Sequence, residues 1–230
     1  MNTDSTCSAC GAALDAGTYR CRYCGHLMQG VTSDEQRQIR IDELRLIAAR
    51  RQLLGFERLE IGELFLASGR PALAEEQLRK AIDLEGTAPR PHVLLALAIL
   101  GFNRPTLPTQ VDPNDFREQV DWLRTNHPEL PETRWLGFYD ELNRLWEARD
   151  WRRGIAVGAT AVDQFPDNYL LQYYYAMALL HFGKTDELKR QDYKEALRHM
   201  RISAELNPIF EPAVKNVSTI EYYATQAPVA

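Results

Sequence analysis

Four cysteines stand within the first 24 residues and the rest of the chain has none. They read Cys7-Ser-Ala-Cys10-Gly11 and Cys21-Arg-Tyr-Cys24-Gly25, with ten residues separating Cys10 from Cys21. A two-residue gap lets one tight turn present two thiolates to the same ion. A glycine directly after the second cysteine permits the left-handed backbone that aims amide N–H groups at sulfur. Zinc takes four such ligands at the corners of a tetrahedron, with Zn–S distances of about 2.3 Å. A catalytic zinc keeps one position open for water, and four sulfurs close it. The expectation is therefore one structural Zn2+ on Cys7, Cys10, Cys21 and Cys24. The alternative is two disulfides or free thiols; redox Cys-x-x-Cys turns usually occur singly, at the start of a helix. His26, two residues past Cys24, is expected at the surface.

Between the two turns, residues 12–20 contain Leu14, Gly17 and Tyr19, enough for a short hairpin. The segment resembles the short zinc-ribbon modules at the N-termini of many bacterial proteins, although Ser8 and Arg22 stand where that family usually has proline. Such ribbons bind protein in some families and nucleic acid in others, so the resemblance leaves both open. Arg20, Arg22 and Tyr23 form a basic and aromatic group at the second turn, suited to phosphate and base contacts. The competing expectation is that Tyr23 packs inside the ribbon and the arginines are solvated.

Other chemistry is sparse. No Ser or Cys nucleophile sits beside His26, His92, His127, His181 or His199 in a recognisable arrangement, and no glycine-rich phosphate loop precedes a helix. His199 is expected on the outer side of its helix. A non-enzymatic protein follows. The net charge of −5 argues against a nucleic-acid coat, which needs a basic surface. No apolar run approaches the roughly 18–20 residues that span a bilayer, and residues 1–10 lack the basic and apolar regions of a secretory signal. Clustered cysteines and a cysteine-free remainder point to a reducing, cytoplasmic setting. The excess of arginine over lysine points to a bacterial gene.

The remaining chain reads as helices. After a break at Gly30-Val31-Thr32-Ser33, Ser33 and Gln36 form a capping box for a connecting amphipathic helix within 31–54, whose apolar face holds Ile41, Leu44, Ile47, Ala48 and Leu54. Beyond it, residue triplets recur at the spacing i, i+7, i+12: Ala74, Ala81, Gly86; Gly154, Ala161, Pro166; Ala196, Ser203, Pro208. A weaker copy is Phe116, Leu123, Pro128. Small side chains seven apart share a helix face and let a neighbouring helix approach, and the closing Gly or Pro ends each helix. Gly62 and Gly69 precede Ala74 by the same distances at which Leu142 and Arg149 precede Gly154. Successive anchors lie 42, 38 and 42 residues apart, a period of about 34 carrying short insertions, the last over residues 184–191.

This pattern resembles the tetratricopeptide (TPR) repeat, most clearly at residues 74–84 and at 193–208. The resemblance implies a mainly α fold, a TPR-like α-solenoid of helix pairs with a small N-terminal β zinc ribbon. Its domains would be the ribbon at 1–30, the connecting helix at 31–54, about four repeats at 55–208 and a capping helix at 209–225. The repeat at 89–128 is irregular because Pro105 to Pro113 forms a long loop. The capping helix would turn Phe210, Val214, Val217, Ile220 and Tyr223 to one side. In TPR arrays the first helix of each pair lines the binding groove. That register puts Leu59 and Glu63 in the groove from the first unit, Tyr139, Asn143 and Trp146 from the third, and Tyr173, Met177 and His181 from the fourth. Only Asn143 matches the family's carboxylate clamp, so an apolar or helical peptide is the expected ligand. The competing expectation is that the chain's own helices fill this stripe. The function implied is a protein-binding adaptor or scaffold, free-standing or a subunit of a larger complex, with the ribbon as a second docking module. The alternative is a nucleic-acid-binding ribbon with a regulatory TPR domain.

Overall fold

The computed structural model describes residues 5–6, 13–14, 33–102, 113–185 and 190–226. These form ten α-helices and one short antiparallel strand pair, β1 (Ser5–Thr6) with β2 (Ala13–Leu14). Ser5 lies opposite Leu14 and Thr6 opposite Ala13, so β2 pairs with the segment before Cys7; residues 12 and 15–20 of the hairpin expected between the two turns lie outside the described residues. The four cysteines themselves lie outside the described residues. The helices fall into two compact units, divided between Leu94 and Leu95.

In the first unit, α1 (Asp34–Ala48) begins with the expected capping box. The Gln36 amide donates to Ser33 Oγ at 3.2 Å, and Ser33 N–H donates to Gln36 Oε1 at 3.3 Å. The helix stops six residues short of 54 because Glu57 starts a new one. Its carboxylate accepts the Leu54 amide at 2.8 Å, fixing Leu54 in the extended conformation that opens α2 (Gly55–Ala67). This shift makes Leu53 the core residue, 2% exposed, and leaves Leu54 at 51%. Helix α3 (Pro71–Glu85) begins on proline, whose missing N–H costs nothing in a first turn, and buries Ala74, Leu78 and Ala81. It packs closely on α2 at Gly62, where a Cβ would lie 2.7 Å from Leu78 Cδ2. Helix α4 (Pro89–Leu100) carries the boundary between the units.

The second unit contains α5 (Pro113–Asn126), α6 (Pro131–Glu147), α7 (Trp151–Gln164), α8 (Tyr169–Thr185), α9 (Arg190–Leu206) and α10 (Glu211–Gln226). From α5 onward each helix packs on the next, and α6 also packs on α8, the contact pattern of stacked helix pairs. The anchors Phe116, Leu123, Gly154, Ala161, Ala196 and Ser203 are all buried. Ser203 Oγ donates to the Tyr169 carbonyl at 2.8 Å, tying α9 to the start of α8. Part of the insertion expected over 184–191 is helical, since α8 continues to Thr185 and α9 begins at Arg190. Helix α10 packs on α9 and, with the turn before it, buries Phe210, Ala213 and Ile220. Val214 points outward instead, because the helix meets α9 along the 213–220 spacing of one face. Among the described residues no helix is long and apolar enough to cross a membrane.

One turn recurs. After α2, Gly69 has φ +66°, with Gly69 N–H donating to the Leu66 carbonyl and Arg70 N–H to that of Phe65. After α4, Gly101 has φ +62°, with the same pair of bonds to Ala98 and Leu97. After α6 the left-handed residue is Arg149, φ +55°, bonded to Trp146 while Asp150 bonds to Leu145. Three helices thus end in the same Schellman-type cap, and only the third lacks glycine.

Candidate functional site

The expected groove residues divide by burial. Leu59 is part of the first unit's core. Glu63 is buried too, and its carboxylate accepts from Arg90 Nε at 3.0 Å. It belongs to a series on α2: Glu57 pairs with Arg51, and Glu60 accepts from Arg40 Nε at 2.6 Å. All three glutamates are buried, and their arginines come from the turn before α2, from α1 and from α4. The Arg51 guanidinium holds the Glu57 carboxyl below the usual carboxylate range. Glu63 is thus an internal clasp rather than a free ligand contact. Nothing in the local sequence flags the Glu60 and Glu63 pairings, because both arginines come from other helices.

In the second unit Tyr139 and Tyr173 are also buried. Tyr139 packs edge-on against Phe116 and Tyr174, its hydroxyl 3.5 Å from that of Tyr174, and burial pushes its pKa well up. Tyr173 meets Tyr174 and Phe210 edge-on, and burial pushes its hydroxyl up to about 12. Phe210 also contacts Tyr169, which meets Phe102. The chain's own Phe210, just before α10, therefore covers this end of the aromatic stripe.

Asn143, Trp146, Met177 and His181 remain half-buried on α6 and α8. Trp146 meets Trp151 edge-on at 5.1 Å and His181 edge-on at 4.9 Å, while His181 stacks on Trp151 at 4.8 Å. Trp151 was absent from the expected set. It is the first residue of α7, and the left-handed turn at Arg149 folds it back onto Trp146. Its signal in the sequence was its place two residues after the position equivalent to Gly69. Asn143 Nδ2 lies 3.5 Å from Glu147 Oε1 on the same helix. The arrangement is a ring cluster with polar edges, with no nucleophile–base pair within it.

Two further clusters escaped sequence analysis. His199, expected at the surface, is buried between α8 and α9, because Gln172 and Tyr175 reach it from α8. Its Nδ1 lies 2.5 Å from Gln172 Oε1 and its Nε2 2.6 Å from Arg198 Nη2, with Glu195 Oε1 at 3.1 Å. Burial, then the neighbouring Arg198 charge, lowers its pKa. The neutral tautomer that fits donates from Nδ1 to Gln172 and accepts from Arg198. The second cluster surrounds Asp140, a buried carboxylate on α6 with Arg144 at 2.8 Å, Arg117 at 3.2 Å and Arg124 at 3.7 Å. Arg20, Arg22 and Tyr23, like Cys7, Cys10, Cys21 and Cys24, lie outside the described residues.

A tetratricopeptide-repeat family model matches residues 139–187, the stretch from mid-α6 through α8 that holds the ring cluster. With the helix-pair stacking, this supports the tetratricopeptide resemblance over that region. No curated protein matches the chain.

Proposed function

We propose that the chain is a non-enzymatic adaptor or scaffold that holds a partner protein or peptide on its helical repeats. The contact face is the half-buried set Asn143, Trp146, Trp151, Met177 and His181. The observation that carries this is the Trp146–Trp151–His181 cluster, left half-buried within the segment that matches the repeat family. Tetratricopeptide repeats generally bind proteins or peptides, and large rings held rigid by their neighbours are the side chains that anchor such interfaces. Buried Tyr139 and Tyr173 act by supporting the face rather than by touching the partner, and Leu59 and Glu63 serve the core of the first unit.

The same reading gives the N-terminal residues a structural Zn2+ on Cys7, Cys10, Cys21 and Cys24, as a second docking module in a cytoplasmic protein. The twofold Cys-x-x-Cys-Gly spacing supports it, as does the pairing of Ser5–Thr6 with Ala13–Leu14 on either side of the first turn. The test is affinity purification of the full chain from its host beside a Met177→Glu variant and a His181→Ala variant. Both should keep the wild-type circular dichroism and lose a shared partner. Partners unchanged by either variant, with the fold intact, would remove the groove from the proposal.

A further inference from the structure

Helix α1 packs on α2 through Ile41 and Leu44, and its opposite side carries Ile39, 55% exposed, and Leu46, 63% exposed. These two side chains stand two turns apart on one stripe. Glu35 extends the stripe at the N-terminal end, and Arg50 extends it in the turn that closes the helix. We propose that this stripe is a contact face between two copies of the chain, with their α1 helices antiparallel about a twofold axis.

The symmetry of the stripe carries the proposal. One midpoint, between Asp42 and Glu43, bisects both the Ile39–Leu46 and the Glu35–Arg50 separation. A twofold axis at that point brings Ile39 of each copy to Leu46 of the other, and Glu35 of each to Arg50 of the other. The charges suit this arrangement. Glu35 and Arg50 are exposed, and among the described residues neither side chain has an ion-pair or hydrogen-bond partner. Every other charge of α1 is paired within the chain: Asp34 with Arg37, Arg40 with Glu43 and Glu60, and Asp42 with Arg45. Asp42 and Glu43, which meet across the axis, are thereby compensated beforehand. In a parallel pair Glu35 would face Glu35, Arg50 would face Arg50, and the helix dipoles would align unfavourably. Packing on α2 does not demand the symmetry, since Glu35, Ile39, Leu46 and Arg50 all lie away from that contact. Two 15-residue helices meeting along one stripe form a small interface. The dimer is therefore reversible, with Kd on the order of 10–100 μM.

The test is sedimentation velocity of the full chain under reducing conditions, from about 5 to about 300 μM. The average mass should rise from monomer towards dimer across that range. Leu46→Glu should hold the chain monomeric with unchanged circular dichroism, because residue 46 is exposed in the single chain. Glu35→Arg and Arg50→Glu should each weaken the dimer about tenfold, since each turns two exposed attractive pairs per dimer into repulsive ones. The double reversal should return to within about twofold of the starting affinity. Met177→Glu, at the half-buried ring cluster of the second unit, should leave association unchanged. A chain that stays monomeric throughout overturns the proposal. A dimer that survives Leu46→Glu, or is lost in Met177→Glu, places the contact elsewhere and overturns it too. Single reversals without effect, or not rescued by the double, remove the antiparallel pairing.

Discussion

Arg149→Gly is expected to stabilise the second unit. The left-handed conformation costs an L-residue about 1–2 kcal/mol. Glycine escapes that cost but loses about 0.4–1 kcal/mol through the larger freedom of its unfolded chain. The balance is a gain of about 0.5–1 kcal/mol, worth a few degrees in Tm at this chain length. The equivalent turn supplies the inverse: Gly69→Ala places a Cβ in open space, so any loss there is backbone cost alone. It should destabilise the first unit by about the same amount. Trp122, Trp135, Trp146 and Trp151, the only tryptophans, all belong to the second unit. Urea unfolding followed by tryptophan fluorescence therefore reports Arg149→Gly directly, as a raised midpoint with unchanged slope. Amide exchange in α2 reports Gly69→Ala. Arg149→Ala separates backbone from charge, because it removes the guanidinium while keeping the Cβ, and should be nearly neutral. A lowered midpoint for Arg149→Gly, or shifts of the same sign at both turns, would refute the reasoning.

Gly158→Ala should cost about 1–3 kcal/mol, since its Cβ would lie 2.7 Å from Tyr175 Cδ2 and 3.1 Å from Tyr175 Cβ, and only the ring can turn away. Fluorescence-monitored urea unfolding checks it. His199 titrates below its usual value when folded, so the unfolded chain takes up the proton first and stability falls as pH drops below about 6.5. Its contribution is fully present above that value and lost as pH falls through the folded pKa; His199→Gln should flatten this fall in Tm between pH 7 and 5. Metal analysis should find one zinc per chain, lost in a Cys10→Ser, Cys24→Ser double variant whose helical circular dichroism is retained.

The helix pairs were legible because close packing leaves a signature in residue size. Ala74, Ala81, Ala161, Ala196 and Ser203 are small where helices meet, and each is buried. Gly158 leaves less room than Gly154 for a Cβ against α8, yet it lies outside the seven-residue anchor spacing. The end of α1 was misjudged for a different reason. Leu53 and Leu54 are equivalent by composition, and only the bond from the Leu54 amide to Glu57 decides which one turns inward.

The candidate face was legible in its position and not in its depth. Register puts Tyr139 and Tyr173 on the expected groove side of their helices, and a ring there looks the same in sequence whether bare or covered. What covers them comes from elsewhere in the chain: Tyr174 from the next position on α8, Phe116 from α5, and Phe210 from the turn before α10. The same logic explains why Trp146 and His181 stay accessible. They lie in the last turns of α6 and α8, beyond the reach of Phe210, and meet Trp151 at the first residue of α7. Among the described residues the stripe is covered at one end and half-buried at the other, and on the proposed function that confines recognition to the half-buried end. Substitutions at Tyr173 should therefore act through stability, and substitutions at Met177 and His181 through binding.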